Sequence, residues 1–570
     1  MDNFNQNNYE KEKILLVLLP FWAPLTPPLG ISCLKSFLRK HGYDVKTIDV
    51  NIEQGMWEIH WKYMSVLSKF IPEEKTGNFY MVGYDVYMNH LMAHINFVNK
   101  GNYINLVKEL VLKNFFIDID DSQVIKLNSI VALFYSELNK YLIGLLEREK
   151  PTIFGISVYN TNLAASLFAA RLVKEKYPHV KTVMGGGIFA DQLSYDSPNF
   201  KLLLEKTPYI DKIIVGEGEL LFLKFIRGEL SETKKVFTLE DIEGTILNIN
   251  SAELPDFSDF NIEAYPHLAT YISRSCPYQC NFCSETVQWG NYRKKKVNKA
   301  VDEMVQLNEM YGRQLFFLGD SLINPVVTKL AQEMIKRDLS LYWDSCLRAD
   351  KTAGNVDNTL LWRRGGFYRA RLGIESGSQR VLDLMNKKIT INQIKKALTS
   401  LAYAGIKTTT YWVLGYPGET ESDFQQTLDL VEELSDCIFE ADWHPFYYYV
   451  SGQVQSEKWR EENGVTLLYS QDSTDMLLTQ TWILNSEPKR EVIYDRLRRF
   501  AKHCKDLSVP NPYSLKDIDE ADERWVDLHK NAVPPLTELY NAHTYTTENK
   551  NVKKLLVTQK KHAQDSSFNF

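Results

Sequence analysis

The chain has 570 residues, 44% of them apolar and 24% charged, a composition ordinary for a water-soluble chain with material for several cores. Its 66 basic and 72 acidic residues give a net charge of -6, which argues against nucleic-acid binding through bulk charge. Seven cysteines are too few for a disulfide scaffold and odd in number, so a reducing, cytoplasmic setting is expected.

Residues 1–12 are polar and read as a loose start. The uncharged run that begins at Ile14 contains Pro20, Pro24, Pro27 and Pro28, which would break a membrane-spanning helix; no small-residue cleavage site follows. Lys13–Leu19 therefore reads as a buried strand, followed by a loop, a helix over ISCLKSFLRKHG and a second strand, Val45–Val50. Residues 51–150, rich in Trp, Tyr, Met, Lys and Glu, read as a helical insertion, a candidate lid. Strand and helix then alternate again. Thr152–Val158, Lys181–Met184 and Ile210–Val215 are strands, and Leu163–Lys176 is a helix. This predicts a doubly wound α/β domain over 1–230, with a linker at 231–265.

A second alternating series follows. Its strands are expected at Thr270–Ser273, Gln314–Leu318, Leu341–Ser345, Arg369–Ile374, Lys407–Leu414 and Ile438–Trp443, with helices at 298–311 and 390–404. Six βα units predict a partial (β/α)6 barrel over 266–465, which would bind ligands at its carboxyl strand ends. Residues 466–570 read as mixed helical, with a loose final stretch of twenty.

The densest chemical signal is Cys276-Pro-Tyr-Gln-Cys280-Asn-Phe-Cys283, directly after the first strand of the second series. Three thiolates in eight residues point to a metal or cluster, and no fourth Cys or His follows at zinc-finger spacing. A four-iron cluster held by three ligands keeps one iron open. The alternatives are a structural zinc borrowing a distant cysteine, and unrelated thiols.

These residues resemble the C-x3-C-x-Φ-C signature of the radical S-adenosylmethionine (SAM) superfamily, with Phe282 at the aromatic position. The resemblance implies a [4Fe–4S] cluster on Cys276, Cys280 and Cys283 and reductive cleavage of SAM to a 5′-deoxyadenosyl radical. It assigns Phe282 to the SAM adenine. Leu318-Gly319-Asp320-Ser321, Gly373-Ile374-Glu375-Ser376-Gly377-Ser378 and Leu414-Gly415-Tyr416-Pro417-Gly418-Glu419 end successive strands and resemble further SAM-contacting motifs. They nominate Gly319, Asp320, Glu375, Ser376 and Gly418, with Arg348 for the SAM carboxylate. Read without the family, GYPGE is equally a plain strand-to-helix turn and Arg348 a solvated arginine.

The amino-terminal half, through PPLGISCLKSFLRKHG, FGISVYNTN, VMGGGIFA and IIVGEGE, resembles the cobalamin-binding domains fused to such barrels. The resemblance nominates Gly155, Gly185, Gly186, Gly187 and Glu217 for cobalamin; the competing reading is that the glycines only make turns. The loop Pro20–Gly30 has no Asp-x-His-x-x-Gly, and Asp442-Trp443-His444 is a near match that lacks the glycine, so a cobalamin here would have no histidine ligand. Cys346, at the end of the third barrel strand, is either a hydrogen-atom donor or a small buried apolar residue.

Two enzymatic readings follow: cobalamin-dependent methylation of an unactivated carbon, or a radical epimerisation, ring closure or rearrangement beside a vestigial cobalamin domain. A third, a non-enzymatic corrinoid or cluster sensor, would need no series of SAM motifs. The expected partners are a small-molecule, lipid or peptide substrate and a one-electron reductant such as flavodoxin or ferredoxin, with no nucleic acid and no membrane span.

Overall fold

The structure, a computed structural model, describes residues 12–529 apart from 54 and 512–514; the expectations for the two chain ends lie outside the described residues. The described chain divides into two compact units. One holds the residues up to 70, 85–266 and 469–481; the other holds 71–84, 267–468 and the residues from 482 on.

The first unit contains a six-stranded parallel sheet. Its strands are β1 (Lys13–Leu18), β2 (Asp44–Asp49), β3 (Ile153–Ser157), β4 (Lys181–Gly185), β5 (Lys212–Ile214) and β6 (Val236–Phe237), in the order β2-β1-β3-β4-β5-β6. β1 reads KILLVL and is buried along nearly its whole length, the pattern of a parallel strand covered on both faces. The helices Leu29–Lys40, Leu163–Lys176 and Gly218–Ile226 follow β1, β3 and β5. Successive strands depart in opposite directions from β1, toward β2 on one side and β3 on the other, which makes the β1/β3 carboxyl ends a topological switch point.

The insertion is helical, as its pattern predicts; its longest element, Asp121–Glu149, is closed at the front by an Asp120–Gln123 capping box. The stretch 231–265 is more than the linker expected of it. It supplies β6, which pairs parallel with β5, and Asp256 and Asp259, which hold the fully buried ammonium of Lys35 at 3.1 and 2.7 Å. A two-residue strand has no period to read, and the acidic partners of Lys35 lie more than 200 residues away, so neither feature was visible locally.

The second unit is built on six parallel strands: β7 (Leu268–Thr270), a small antiparallel pair β8 (Ser273–Arg274) and β9 (Arg293–Lys294) that follows it, then β10 (Leu315–Leu318), β11 (Tyr342–Leu347), β12 (Phe367–Glu375), β13 (Lys407–Leu414) and β14 (Glu440–Pro445). The sheet order is β14-β13-β12-β11-β10-β7, with every neighbour parallel. This is the open six-stranded (β/α) barrel that the alternation predicts. Thr390 caps the helix Ile391–Tyr403 with Gln393 in a capping box, and Gly405 ends it at φ 74°.

After the barrel, β15 (Val465–Leu467) and β16 (Trp482–Leu484) form an antiparallel pair, so the region beyond 466 is not purely helical. The helix Arg490–Asp506 lays Phe500 against Trp412 of β13 and Trp443 of β14, with ring centroids 5.7 and 5.3 Å apart. Among the described residues no helix is long and apolar enough to cross a membrane.

Candidate active site

The cysteine loop begins where β8 ends. Ser275 takes a positive φ of 70° and donates to the Gly290 carbonyl at 2.6 Å, turning the chain out of the small antiparallel pair. Two further segments fasten the loop. Asn281 bonds the Met385 and Leu384 carbonyls at 3.0 and 2.8 Å, and Asn386 reaches back to Gln279 at 2.8 Å. On the other side Gln453 donates to the Phe282 carbonyl at 3.1 Å, and Val454 and Gln455 donate to Cys283 and Asn281. Gln453 and Asn386 carry no motif, so sequence reasoning missed them; the only trace was their position after two of the motif loops.

The three thiols feel one another. Burial raises the Cys276 thiol and pushes Cys283 up to about 12, and repulsion from the neighbouring sulfurs adds to each shift. Ligation would therefore have to displace protons. Among the described residues no trio of His, Cys, Asp or Glu closes to the geometry of a single metal ion.

Arg348 is not the solvated residue of the competing reading. It is 5% exposed, its guanidinium lies 3.9 Å over the Tyr278 ring, and Nη1 is 3.9 Å from the Cys280 sulfur. Its Nη2 is buried with no hydrogen-bond partner. A buried guanidinium nitrogen without an acceptor costs a few kcal/mol unless a ligand supplies one. Set beside the cysteine loop, it fits a carboxylate-bearing cofactor.

Glu375 sits at φ 68° on the bulge of β12 and accepts from Lys387 at 2.6 Å. Lys387 also lies 5.6 Å from the Phe282 ring, so Glu375, Lys387 and Phe282 form one group beside the loop. Ser376 is fully buried and faces Thr427, and the next peptide nitrogen, of Gly377, donates to Thr427 at 2.9 Å. An added Cβ at Gly377 would stand 2.4 Å from the Gln426 carbonyl, which explains the glycine by packing.

Asp320 turns away from open space. It is 2% exposed and accepts from the Ile272 and Ser273 amides and the Ser273 hydroxyl; burial lifts its carboxyl to about 6. Its visible work is to fasten β10 to the segment that leads into the cysteine loop. Gly319 donates its amide to Thr270 on β7 at 2.8 Å. Gly418 takes a φ of 85° and its carbonyl accepts from Arg380 at 2.6 Å, while Glu419 beside it pairs with the buried Arg496 at 2.8 Å.

Cys346 is half-buried on β11, and burial pushes its thiol up to about 11. All seven cysteines are free; Cys437 and Cys504 are buried. Phe446 and Tyr448 pack against Tyr416 and Trp459 in a hydrophobic cluster.

In the first unit, two of the nominated glycines are explained by the sheet itself. A Cβ on Gly155 would lie 2.6 Å from the Leu16 side chain on β1, and one on Gly186, at φ 127°, would lie 2.4 Å from the Val158 carbonyl. Gly185 and Gly187 flank that turn, where Gly187 opens a short helical turn to Ala190. Glu217 is buried at the front of the helix Gly218–Ile226. At the switch point, Trp22 is 39% exposed and packs against Tyr159, with ring centroids 4.4 Å apart and the planes tilted by 33°.

Residues 270–431 match the family model of the Radical SAM superfamily. The barrel unit is thus a radical SAM domain, in the class that the cysteine loop and strand-end motifs define. The chain is 25% identical over 52% of its length to the anaerobic magnesium-protoporphyrin IX monomethyl ester cyclase of Rubrivivax gelatinosus, covering 55% of that protein. It is 25% identical over 48% of its length to the cobalamin-dependent radical SAM methyltransferase TokK of Streptomyces tokunonensis, covering 44% of it. The chain thus spans about half the length of these curated relatives. Its fold is similar over 98% of the chain to the radical SAM methyltransferase TsrM of Kitasatospora setae, covering 100% of that chain, with a TM-score of 0.59 and 13% identity. It is also similar over 97% of the chain to the cobalamin-dependent SAM radical enzyme OxsB, covering 84% of it, with a TM-score of 0.54 and 13% identity.

Proposed function

We propose that the protein is a cobalamin-dependent radical SAM methyltransferase acting on an unactivated carbon of a small-molecule, lipid or peptide substrate, in a reducing cytoplasm with a one-electron protein reductant. The observation that carries the radical SAM part is the buried, unpartnered Nη2 of Arg348 beside the Cys276–Cys283 loop. Cys276, Cys280 and Cys283 would hold a [4Fe–4S] cluster, and Arg348 would take the SAM carboxylate. Glu375 with Lys387, Phe282, Ser376, Gly319 and Gly418 would border the rest of SAM, and Asp320 would hold the loop in place. A cluster with SAM would supply a carbon radical for hydrogen abstraction, and a cobalamin would supply the methyl donor. The chain's own part is to orient substrate and SAM and to keep water out. The cobalamin part is supported by fold likeness to two cobalamin enzymes and by the β1/β3 topological switch point. Gly155, Gly185, Gly186, Gly187 and Glu217 are the candidates for it, with Gly155 and Gly186 also required by the packing of the sheet.

A second reading, radical cyclisation or rearrangement without methyl transfer, is favoured by the likeness to the cyclase. Product analysis separates the two. The reconstituted protein with SAM and a strong one-electron reductant, but no substrate, is expected to give S-adenosylhomocysteine up to the amount of cobalamin bound. 5′-Deoxyadenosine without any S-adenosylhomocysteine would overturn methyl transfer and leave the second reading.

A further inference from the structure

The lumen of the barrel is polar and accessible where an ordinary barrel interior is packed with branched apolar side chains. Along β12 the outward residues Ala370, Leu372 and Ile374 are fully buried, while Arg369, Arg371 and Gly373 between them keep access to solvent. The register carries this inward face across the sheet: Cys346 lies beside Arg371, Gly373 beside Tyr411, and Tyr411 beside Asp442. Cys346, Tyr411 and, on β10, Phe317 are likewise only half-buried.

Most charges in this lumen are matched. Arg369 pairs with Glu440, and Asp442 lies 3.2 Å from His444. Arg371 is held differently. Its Nε and Nη2 both point at one oxygen of Asp344, at 3.1 and 2.8 Å, while Phe317 lies 5.1 Å from the guanidinium carbon. Its Nη1 meets only the Tyr411 hydroxyl, at 3.4 Å, which is at the edge of a hydrogen bond. A guanidinium has five N–H donors, so Arg371 is fixed on one edge and keeps donors for an acceptor on the other. Asp344, fully buried, acts as the post that aims it.

We propose that Arg371, aimed by Asp344 and flanked by Tyr411, binds an anionic group of the substrate, a carboxylate or a phosphate, inside the barrel beside Cys346. A plain hydrocarbon chain is disfavoured as occupant, because it would desolvate Arg371 without offering an acceptor. That the occupant is the substrate rests on the radical SAM reading; that the lumen holds an anion does not.

Cys346 provides a reporter that needs neither turnover nor a known substrate. The full-length reconstituted protein is treated at pH 9 with iodoacetate or iodoacetamide, and alkylation of the Cys346 peptide is followed by mass spectrometry. Glutathione is the reference thiol. Relative to glutathione, the anionic reagent is expected to be favoured at Cys346 by at least about fivefold, with a rate that saturates. In Arg371→Gln both rates are expected to fall, because Arg371 favours the Cys346 thiolate, but the preference between the two reagents is expected to vanish; continued alkylation by iodoacetamide shows that the lumen is intact. Protection of the wild-type thiol by propionate would identify a carboxylate site, and protection by inorganic phosphate a phosphate site. An unchanged reagent ratio in the wild type, or protection by neither anion, would overturn the proposal. These outcomes do not depend on whether SAM is cleaved, so a failure of the enzymatic reading would be seen separately.

Discussion

Gly186 shows how geometry adds a reason for a residue that sequence alone leaves open. Three consecutive glycines after a strand look like room for a ligand, yet the missing Cβ of Gly186 would lie 2.4 Å from the Val158 carbonyl, at a φ of 127° that L side chains rarely adopt. Gly186→Ala is therefore expected to destabilise the first unit by about 2–4 kcal/mol, from backbone strain plus overpacking. A fall in the urea unfolding midpoint that multiplies by the m-value to that loss checks it, and an unchanged midpoint would mean that the turn relaxes freely. The cysteines were legible because three thiols at such short spacing converge on little besides a metal ion or a cluster. The state of Arg348 was not legible: solvated or buried is decided by Tyr278 and Cys280, some 70 residues away in sequence. Asp320 stood out as a motif residue, but whether its carboxylate faced a ligand or the backbone depended on β7–β8, which only the fold brings to it.

At the scale of elements, the strands of both sheets could be read from apolar runs and from the glycines and prolines that end them, and β13 coincides with its predicted span. β6 could not be read, and neither could the chemistry inside the helical insertion. There His90 bonds Tyr63 at 2.9 Å and Tyr103 at 2.7 Å, and His60 packs among Phe21, Trp57 and Tyr87. Burial lowers His60 to about 4 and His90 to about 3. The folded pKa lies below the unfolded value, so the unfolded chain binds more protons, and stability present above pH 6.5 is lost as pH falls toward 4. Each histidine contributes on the order of 3 kcal/mol to that loss. Protection factors of the amides in the helices Met56–Ser68 and Asp121–Glu149 are expected to fall between pH 6.5 and 4, once the slowing of chemical exchange over that range is divided out. Protection that stays constant over that window would contradict the burial of these rings.

For the whole molecule, alternation of strands and helices predicted both sheets and the order of the two architectures, because short βα connections leave few topologies. The exchange of segments between units was hidden. Residues 71–84 lie with the barrel unit and 469–481 with the other, each far from its unit in sequence. Such pieces carry no local mark, since they are defined by what they pack against. The exchange argues for working with the full chain.

A cluster on three cysteines and a corrinoid on the other sheet of the same chain are tested together, and most directly, by anaerobic reconstitution. The protein is loaded with iron, sulfide and hydroxocobalamin, desalted, and followed by its absorption spectrum and by metal analysis. About four irons per chain are expected, with the absorption of a [4Fe–4S] cluster, and cobalt at about one per chain. Changing Cys276, Cys280 and Cys283 all to alanine is expected to remove the iron and leave the cobalt. Iron retained in the triple variant, or cobalt that washes away from the wild type, would contradict this assignment.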